Sequence, residues 1–312
     1  MTHKILITGG GGFIGTNLYN ELTSRGNKVI RSDYYNSYKS NYCRCDVSNI
    51  RQLEEIFKRY GKFDYVYHLA AEYGRWNGED FYENLWITNA IGTKNIIRIQ
   101  EREKFKLIFF SSAEVYGDFE GDMSEKVMID NPINETYQMN DYAISKWAGE
   151  LMCQNSIKMF NTETVIVRPV NCYGPHEHYT PYRGFIPKFI FLLLNNQNIV
   201  VHKGHKRIID YVEDTCTTFA NITDNFISGE AYNVGGKIEW QMSVEEYAKI
   251  ILKNLKKPID LVQFHESENN TTMQKQMNFS KAINDLNHNP LVDPEKGIYL
   301  TAKWMKEFYK IT

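Results

Sequence analysis

A run of four glycines between a strand-like and a helix-like segment constrains the fold of this chain more than any other feature. Lys4–Thr8 is a short apolar run, and Phe13–Ser24 on the other side of the glycines is amphipathic. Glycines at this position let the backbone turn tightly and approach a pyrophosphate closely, and the N–H groups at the helix start can hold the anion. The alternative is a glycine-rich turn without a ligand, which the strand–turn–helix context disfavours. The residues that we assign to this cofactor turn are Gly9, Gly12, Phe13, Ile14 and Gly15.

Strand-like and helix-like segments alternate through the first half of the chain. The predicted strands are Lys4–Thr8, 28–32, Tyr65–His68, 107–111 and 164–168, and the predicted helices are Phe13–Ser24, Ile50–Tyr60, 81–104 and 142–160. Such alternation is typical of a parallel, doubly wound α/β sheet of the Rossmann type.

The alternation ends near residue 169. We therefore predict an NAD-binding Rossmann domain over 1–169, to which some later segments return, and a smaller C-terminal α+β lobe over 170–312. This lobe should bind the substrate over the carboxyl ends of the strands, where ligands bind in open α/β sheets.

Asp33 follows the second predicted strand, 18 residues beyond Gly15. A carboxylate there accepts hydrogen bonds from the ribose hydroxyls of NAD and repels the 2′-phosphate of NADP. Arg31 is the alternative partner for such a phosphate, but its side chain should point to the opposite face from Ser32. The pattern favours NAD.

Tyr142 and Lys146 are four residues apart on a predicted helix, so they share one face. An ammonium nearby stabilises a phenolate, so we expect the pKa of Tyr142 to be lowered, which suits a general base. Tyrosine and lysine at this spacing are also common as a surface pair without function. The surrounding motifs decide between the two readings.

Composition excludes several classes of function. The net charge is −2, which offers no attraction to nucleic acid or to an anionic membrane. The five cysteines are odd in number and scattered, which predicts neither a disulfide framework nor a metal site. We find no signal peptide and no apolar stretch long enough to cross a bilayer, and we expect a cytoplasmic protein.

Several motifs occur together and in a fixed order. The glycine run, the segment from Ser111 to Gly117 and Tyr142-x-x-x-Lys146 resemble the extended short-chain dehydrogenase/reductase family. Supporting matches are Asp46-Val47, His68-Leu69-Ala70-Ala71, Asn89-x-x-Gly92-Thr93, the segment from Arg168 to Pro175 and the segment from Asn278 to Ala282. The resemblance spans nearly the whole chain and implies an NAD-dependent enzyme acting on a nucleotide sugar.

The resemblance also implies residue roles. Tyr142 would remove the proton from the C4 hydroxyl of the sugar, Lys146 would bind the nicotinamide ribose, and Ser112 would hydrogen-bond the same sugar oxygen. Asp46 and Val47 would border the adenine. Further expected cofactor contacts are Leu69, Ala70, Ala71 and Asn89. The expected substrate contacts are Glu72, Arg75, Asn171, Arg183, Lys188 and Arg207, of which Asn171 and Arg207 would meet the diphosphate. Family members commonly form homodimers through two helices of each subunit, here 81–104 and 142–160.

The residue after Ser112 bears on the reaction type. Dehydratases of the family carry an acid–acid pair after the catalytic serine or threonine, whereas this chain has Ala113-Glu114. Alanine cannot donate the proton that a poor leaving group needs, which argues against elimination. Glu114 could be a base at C5, a hydrogen-bond partner of the sugar or a helix cap. We therefore expect oxidation at C4 without dehydration, either with release of the ketone or, as the alternative, with 4-epimerisation. A 4,6-dehydratase or decarboxylase is less favoured.

Departures from the family pattern bear on which nucleotide the sugar substrate carries. Many members that act on UDP-sugars have an arginine where this chain has Glu268, and Lys275 lies closer to Asn278. The segments 72–77 and 176–184 are also unusual. The sequence around 72–77 and Ser112 is similar to dehydrogenases of bacterial capsular heptose synthesis that oxidise C4 of GDP-manno-heptose. The departures disfavour UDP and leave GDP, dTDP or CDP as the nucleotide, and this similarity favours a GDP-sugar.

Overall fold

The computed structural model describes residues 2–130, 135–266, 268 and 271–311. In this part of the chain, seven parallel strands form one sheet in the order β7-β6-β5-β4-β1-β2-β3. The strands are β1 Lys4–Thr8, β2 Lys28–Asp33, β3 Tyr42–Arg44, β4 Tyr65–His68, β5 Lys106–Phe110, β6 Glu163–Pro169 and β7 Ala231–Val234. The predicted Rossmann-type α/β fold is confirmed.

Helices cover both faces of this sheet, which explains why its central strands are almost continuously apolar. The helices are α1 Phe13–Ser24, α2 Ile50–Tyr60, α3 Arg75–Asp80, α4 Tyr82–Trp86, α5 Thr93–Glu103, α6 Val127–Asp130, α7 Asp141–Phe160, α8 Phe185–Leu194, α9 Val212–Asn221, α10 Val244–Leu255, α11 Ser280–Leu286 and α12 Pro294–Tyr309. One face packs on α1 and α9, and the other packs on α2, α5 and α7. None of the helices within the described residues is both long enough and apolar enough to span a bilayer.

The helix predicted over 81–104 is broken in the structure. It consists of α4, a π-helical stretch over Ile87–Gly92, and α5. The wider π turn carries buried Asn89, whose amide bonds the backbone of Glu72 and the hydroxyl of Ser145. The spacing of apolar residues in the sequence does not reveal such an insertion.

The C-terminal part of the chain adds short paired strands and a separate apolar core. The pairs are Asn171–Tyr173 with Ile209–Tyr211, Lys206–Arg207 with Met242–Ser243, Ile199–His202 with Val262–His265, and Asp122–Met123 with Gln276–Met277. Short 3₁₀ turns occupy Ala113–Tyr116, Ile238–Trp240 and Ile259–Leu261. The core lies among α8, α10 and α12. β7 also comes from this part of the chain, yet it completes the main sheet beside β6.

Candidate active site at the carboxyl edge of the sheet

The glycine turn between β1 and α1 leaves no room for side chains. Gly9 has φ +70°, and a Cβ added to it would lie 2.7 Å from the backbone nitrogen of Ala70. A Cβ on Gly15 would lie 2.2 Å from the carbonyl oxygen of Gly9. α1 begins at Phe13 after Gly12, without a side-chain cap. The turn therefore presents helix-start N–H groups next to bare backbone, which fits the pyrophosphate of a dinucleotide.

Asp33 lies beside this turn at the end of β2. Its carboxylate accepts hydrogen bonds from the backbone N–H of Gly11 at 2.9 Å and of Tyr34 at 2.7 Å. Arg31 is 5 % exposed, and its guanidinium lies 3.8 Å from the ring centre of Tyr19. The Arg31 guanidinium is thus packed inside the protein, where it is not exposed to bind the 2′-phosphate of NADP. The local geometry fits NAD.

The other predicted cofactor residues lie around the same edge. Leu69 and Ala70 follow β4, and the N–H of Leu69 donates to Thr8. Ala71 follows them and leads to Glu72. Val47 is buried against Gly92. The carboxylate of Asp46 is occupied by Ser48, whose N–H and hydroxyl both donate to it.

Asn89 differs from the other predicted cofactor contacts. Its carbonyl accepts from the N–H of Glu72, and its NH₂ donates to the carbonyl of Glu72 and the hydroxyl of Ser145. The amide is therefore used within the protein, where it joins the segment after β4 to the helix that carries Tyr142.

Ser112, Tyr142 and Lys146 converge where β5 ends and α7 begins. Ser112 lies close enough to the phenol of Tyr142 to lower its pKa, and its hydroxyl accepts a hydrogen bond from the N–H of Glu114 at 3.1 Å. Lys146 is 5 % exposed, donates to the carbonyl of Phe110 at 2.8 Å and lies 5.9 Å from the ring centre of Tyr142. This is the geometry of a tyrosine base beside a serine donor and a lysine.

The expected lowering of the Tyr142 pKa is not found in the protein chain alone. Burial raises the pKa of Tyr142 to about 12, and the Glu114 carboxylate adds to this, while the hydrogen bond with Ser112 opposes it. Burial also lowers the pKa of Lys146 to about 7. The prediction was wrong for the chain by itself, because the lysine is directed at a carbonyl and desolvation dominates both groups.

Glu114 lies next to the catalytic groups and is held by Lys275, which belongs to none of the sequence motifs. The Nζ of Lys275 lies 2.7 Å from the Glu114 carboxylate and 3.2 Å from the carbonyl oxygen of Ala113. Burial by itself raises the pKa of Glu114, but Lys275, with Arg75 and Arg207 farther away, holds it below its ordinary value. Glu114 is thus kept ionised.

Two arginines predicted to bind substrate are tied to the same region. Arg75 forms an ion pair with Glu268 at 3.0 Å, and the indole N–H of Trp76 donates to the other oxygen of that carboxylate. Arg207 donates to the hydroxyl of Thr271 and to backbone carbonyls of 272 and 273. The two guanidinium groups therefore hold Glu268 and residues 271–273 in place.

The remaining predicted substrate residues lie on the rim of the site. Glu72 accepts a hydrogen bond from Asn77. Arg183 lies over the ring of Tyr73, 3.9 Å from its centre. Asn171 is exposed at the start of its strand, and the ammonium of Lys188 donates to the carbonyl of Pro181 at 3.4 Å. The unusual segments 72–77 and 176–184 thus contact each other beside the site.

Lys275 and Glu268 carry no local sequence signal for their roles. Each pairs with a residue more than 160 positions away. The one sequence signal for Lys275 is weak: many family members have an arginine before the position of Asn278. Among the described residues, no group of three histidine, cysteine or acidic side chains is arranged to hold a metal ion.

Comparison with known proteins agrees with this geometry. The sequence profile of the NAD dependent epimerase/dehydratase family matches residues 5–235. The chain is 31% identical to UDP-N-acetyl-alpha-D-glucosaminuronate decarboxylase of Bacillus cytotoxicus, over 98% of this chain and 99% of that protein. It is 28% identical to human dTDP-D-glucose 4,6-dehydratase, over 97% and 90% of the two chains.

The fold is also that of solved structures. UDP-glucuronic acid 4-epimerase of Bacillus cereus, solved with UDP-glucuronic acid and NAD, superposes with a TM-score of 0.85. The alignment covers 98% of this chain and all of the other, at 24% identity. The similar proteins thus include a decarboxylase, a dehydratase and an epimerase.

Proposed function

Because the chain belongs to the NAD dependent epimerase/dehydratase family, we propose that it oxidises the C4 hydroxyl of a nucleotide sugar and releases the 4-keto product. The observation that carries this proposal is the set of side chains that follow β5 and surround Tyr142. Ser112 and Tyr142 meet there as a donor and a base, Ala113 fills the position of the dehydratase acid, and Glu114 is bound to Lys275. The site can handle the proton of a hydroxyl but lacks the acid that elimination requires.

The residues divide the proton chemistry between them. NAD, when bound at the glycine turn, supplies the hydride acceptor and a positive charge close to the phenol. Tyr142 takes the proton of the C4 hydroxyl, and Ser112 donates a hydrogen bond to the same oxygen as it becomes a carbonyl. The pKa of Tyr142 is about 12 in the chain alone, so proton removal depends on that additional positive charge.

We favour GDP-D-glycero-D-manno-heptose as the substrate and capsular polysaccharide synthesis as the setting. The support is the sequence similarity around 72–77 and Ser112. The structure adds that 72–77 contacts the 176–184 segment, through Tyr73 with Thr180 and Arg183. Two unusual segments in contact at the rim are suited to recognising a sugar with a longer side chain.

Mass spectrometry of the product tests the reaction. The purified protein, supplied with NAD, is incubated with UDP-, dTDP- and GDP-linked sugars, including GDP-heptose. A product lighter by two hydrogens, with one NADH formed per product, supports the proposal. An unchanged mass with inverted C4 supports an epimerase, and loss of water a dehydratase. No conversion of GDP-heptose, combined with conversion of another nucleotide sugar, would refute the preferred substrate.

A second candidate is decarboxylation of a nucleotide-linked uronic acid. It is favoured by the three cations Arg75, Arg207 and Lys275, which act together on the carboxylate of Glu114. It also agrees with the name of the B. cytotoxicus relative. Loss of carbon dioxide from a UDP-linked uronic acid in the same assay would establish this candidate in place of the first.

We also infer a homodimer. Ile87 and Ile91 on the π-helical stretch are 49 % and 53 % exposed, and Ile144 and Leu151 on α7 are 38 % and 43 % exposed. These helices contact each other, so their exposed apolar residues form a surface suited to a second copy. Light scattering should give twice the chain mass for the wild type and for Ile227→Glu, a control on another surface. It should give a single chain mass for Leu151→Glu.

A further inference from the structure

In the ion pair between Lys275 and Glu114, a buried ammonium binds a more exposed carboxylate. The Lys275 side chain is 11 % exposed, and that of Glu114 is 31 % exposed. The ammonium also donates to the carbonyl of Ala113, so it binds both the carboxylate and the backbone that precedes it. The pair therefore combines a partly exposed carboxylate with a buried cation, and the carboxylate is close enough to Tyr142 to raise the pKa of its phenol.

Contacts hold the backbone at Lys275 and directly after it. Gln276–Met277 pairs with Asp122–Met123, and the carbonyl of Lys275 accepts a hydrogen bond from the amide of Gln241. The side chain can therefore hold Glu114 in one place instead of following it toward a ligand.

We propose that Lys275 is a positioning residue that keeps Glu114 from acting as a base toward C5 of the oxidised sugar. This inference rests on the proposed function, because it concerns the fate of a 4-keto sugar. In a 4-keto sugar the C5 proton is acidic, since its removal gives an enolate. A base in this cleft would break the C5–H bond and take the proton, and the electron pair would form the C4–C5 double bond with the negative charge on O4.

Two physical effects of Lys275 oppose this step. The ammonium occupies the carboxylate oxygen that it contacts, and its charge makes the carboxylate a weaker base. Together with Ala113, which cannot protonate a leaving group at C6, the pair leaves the ketone as the end product. The structure thus contains two separate obstacles to elimination.

Exchange of the C5 hydrogen tests the role of Lys275 without requiring turnover. The isolated 4-keto product is incubated in D₂O with NAD-loaded enzyme, and deuterium at C5 is measured by proton NMR and mass. Wild type and Lys275→Arg, which keeps the cation, should exchange no faster than the ketone alone. In Lys275→Met the C5 hydrogen should exchange at least about tenfold faster, because the Glu114 carboxylate is then a stronger base and is no longer bound by an ammonium.

The double variant Lys275→Met with Glu114→Gln identifies the base. With this variant, the C5 hydrogen should exchange at the wild-type rate, because the Glu114 carboxylate is gone. Lys275→Gln is the substitute if the methionine variant does not fold, as judged by circular dichroism and NAD binding. Rapid exchange in the wild type, or no exchange in either folded neutral variant, would overturn the inference and leave C4 oxidation standing. Absence of any 4-keto product from the wild type would instead overturn the proposed function.

Discussion

The cofactor side and the sugar side of the site are built by different means. On the cofactor side, the shape comes from backbone: Gly9 and Gly15 have no space for a Cβ, and Asp33 bonds the N–H of Gly11. On the sugar side, the shape comes from charged side chains, chiefly Glu114 with Lys275 and Arg75 with Glu268. The first arrangement allows few residue types, whereas the second can be made by many pairs of residues.

This difference separates the function shared with relatives from the function particular to this chain. A turn whose glycines cannot be replaced without a backbone shift keeps its shape, and NAD dependence is common to the family. A cleft defined by ion pairs can change its substrate by exchanging partners. We therefore expect variants on the two sides to affect different measurements.

The largest effect should come from the group that joins the two sides. Tyr142→Phe removes the base but keeps the ring, so hydride transfer should fall by about 10³-fold or more, and NAD affinity should stay within about twofold. Stopped-flow absorbance of NADH and calorimetric titration of NAD measure the two quantities. Retained hydride transfer would contradict the assignment of Tyr142.

The next largest effect should come from Gly15→Ala, which tests the backbone side. The added Cβ would lie 2.2 Å from the carbonyl oxygen of Gly9, so the turn must shift. NAD affinity should fall by about 10- to 100-fold, because a shifted turn weakens N–H bonds to the charged pyrophosphate that contribute about 1.5–3 kcal/mol. The control Gly184→Ala adds a Cβ with no atom within 4 Å and should bind NAD as the wild type does. Equal NAD affinity in both variants would refute the steric argument.

A smaller effect concerns pH and the charge of Lys146. Its pKa is about 7 in the folded chain, against an ordinary value of 10.5. Between these values the unfolded chain binds more protons, so the free energy of unfolding rises with pH. From about pH 7 to pH 9 the wild type should gain about 2 kcal/mol in free energy of unfolding relative to Lys146→Met. Urea unfolding of both proteins at several pH values measures this, and parallel curves would show that Lys146 titrates normally.

The smallest effect should come from Glu268→Gln, which tests the sugar side alone. The change weakens the bonds from Arg75 and Trp76, so KM for the nucleotide sugar should rise about five- to tenfold. NAD affinity should not change. Glu266→Gln is the control, since Glu266 is 92 % exposed and its Lys203 partner is 3.7 Å away. If NAD affinity changed as much as KM, the two sides would not be independent.

The sequence allowed the fold and the cofactor side to be predicted because their signals are local. The glycine turn, Asp33 and the Tyr142–Lys146 spacing each lie within a few tens of residues. The pairing of Lys275 with Glu114 spans 161 positions and needs the strand pairing of Gln276–Met277 to exist. The π turn around Asn89 and the raised pKa of Tyr142 also depend on burial, which no spacing of residues reveals.

The position of β7 has a consequence for how the protein is made. Ala231–Val234 is the neighbour of Glu163–Pro169 in the main sheet, although more than sixty residues separate the two strands in the chain. During synthesis, β6 leaves the ribosome well before its neighbour and presents an unpaired edge until then. The sheet can be completed only after residues 170–230 have also been translated. We therefore expect the nascent chain to depend on chaperones over that interval.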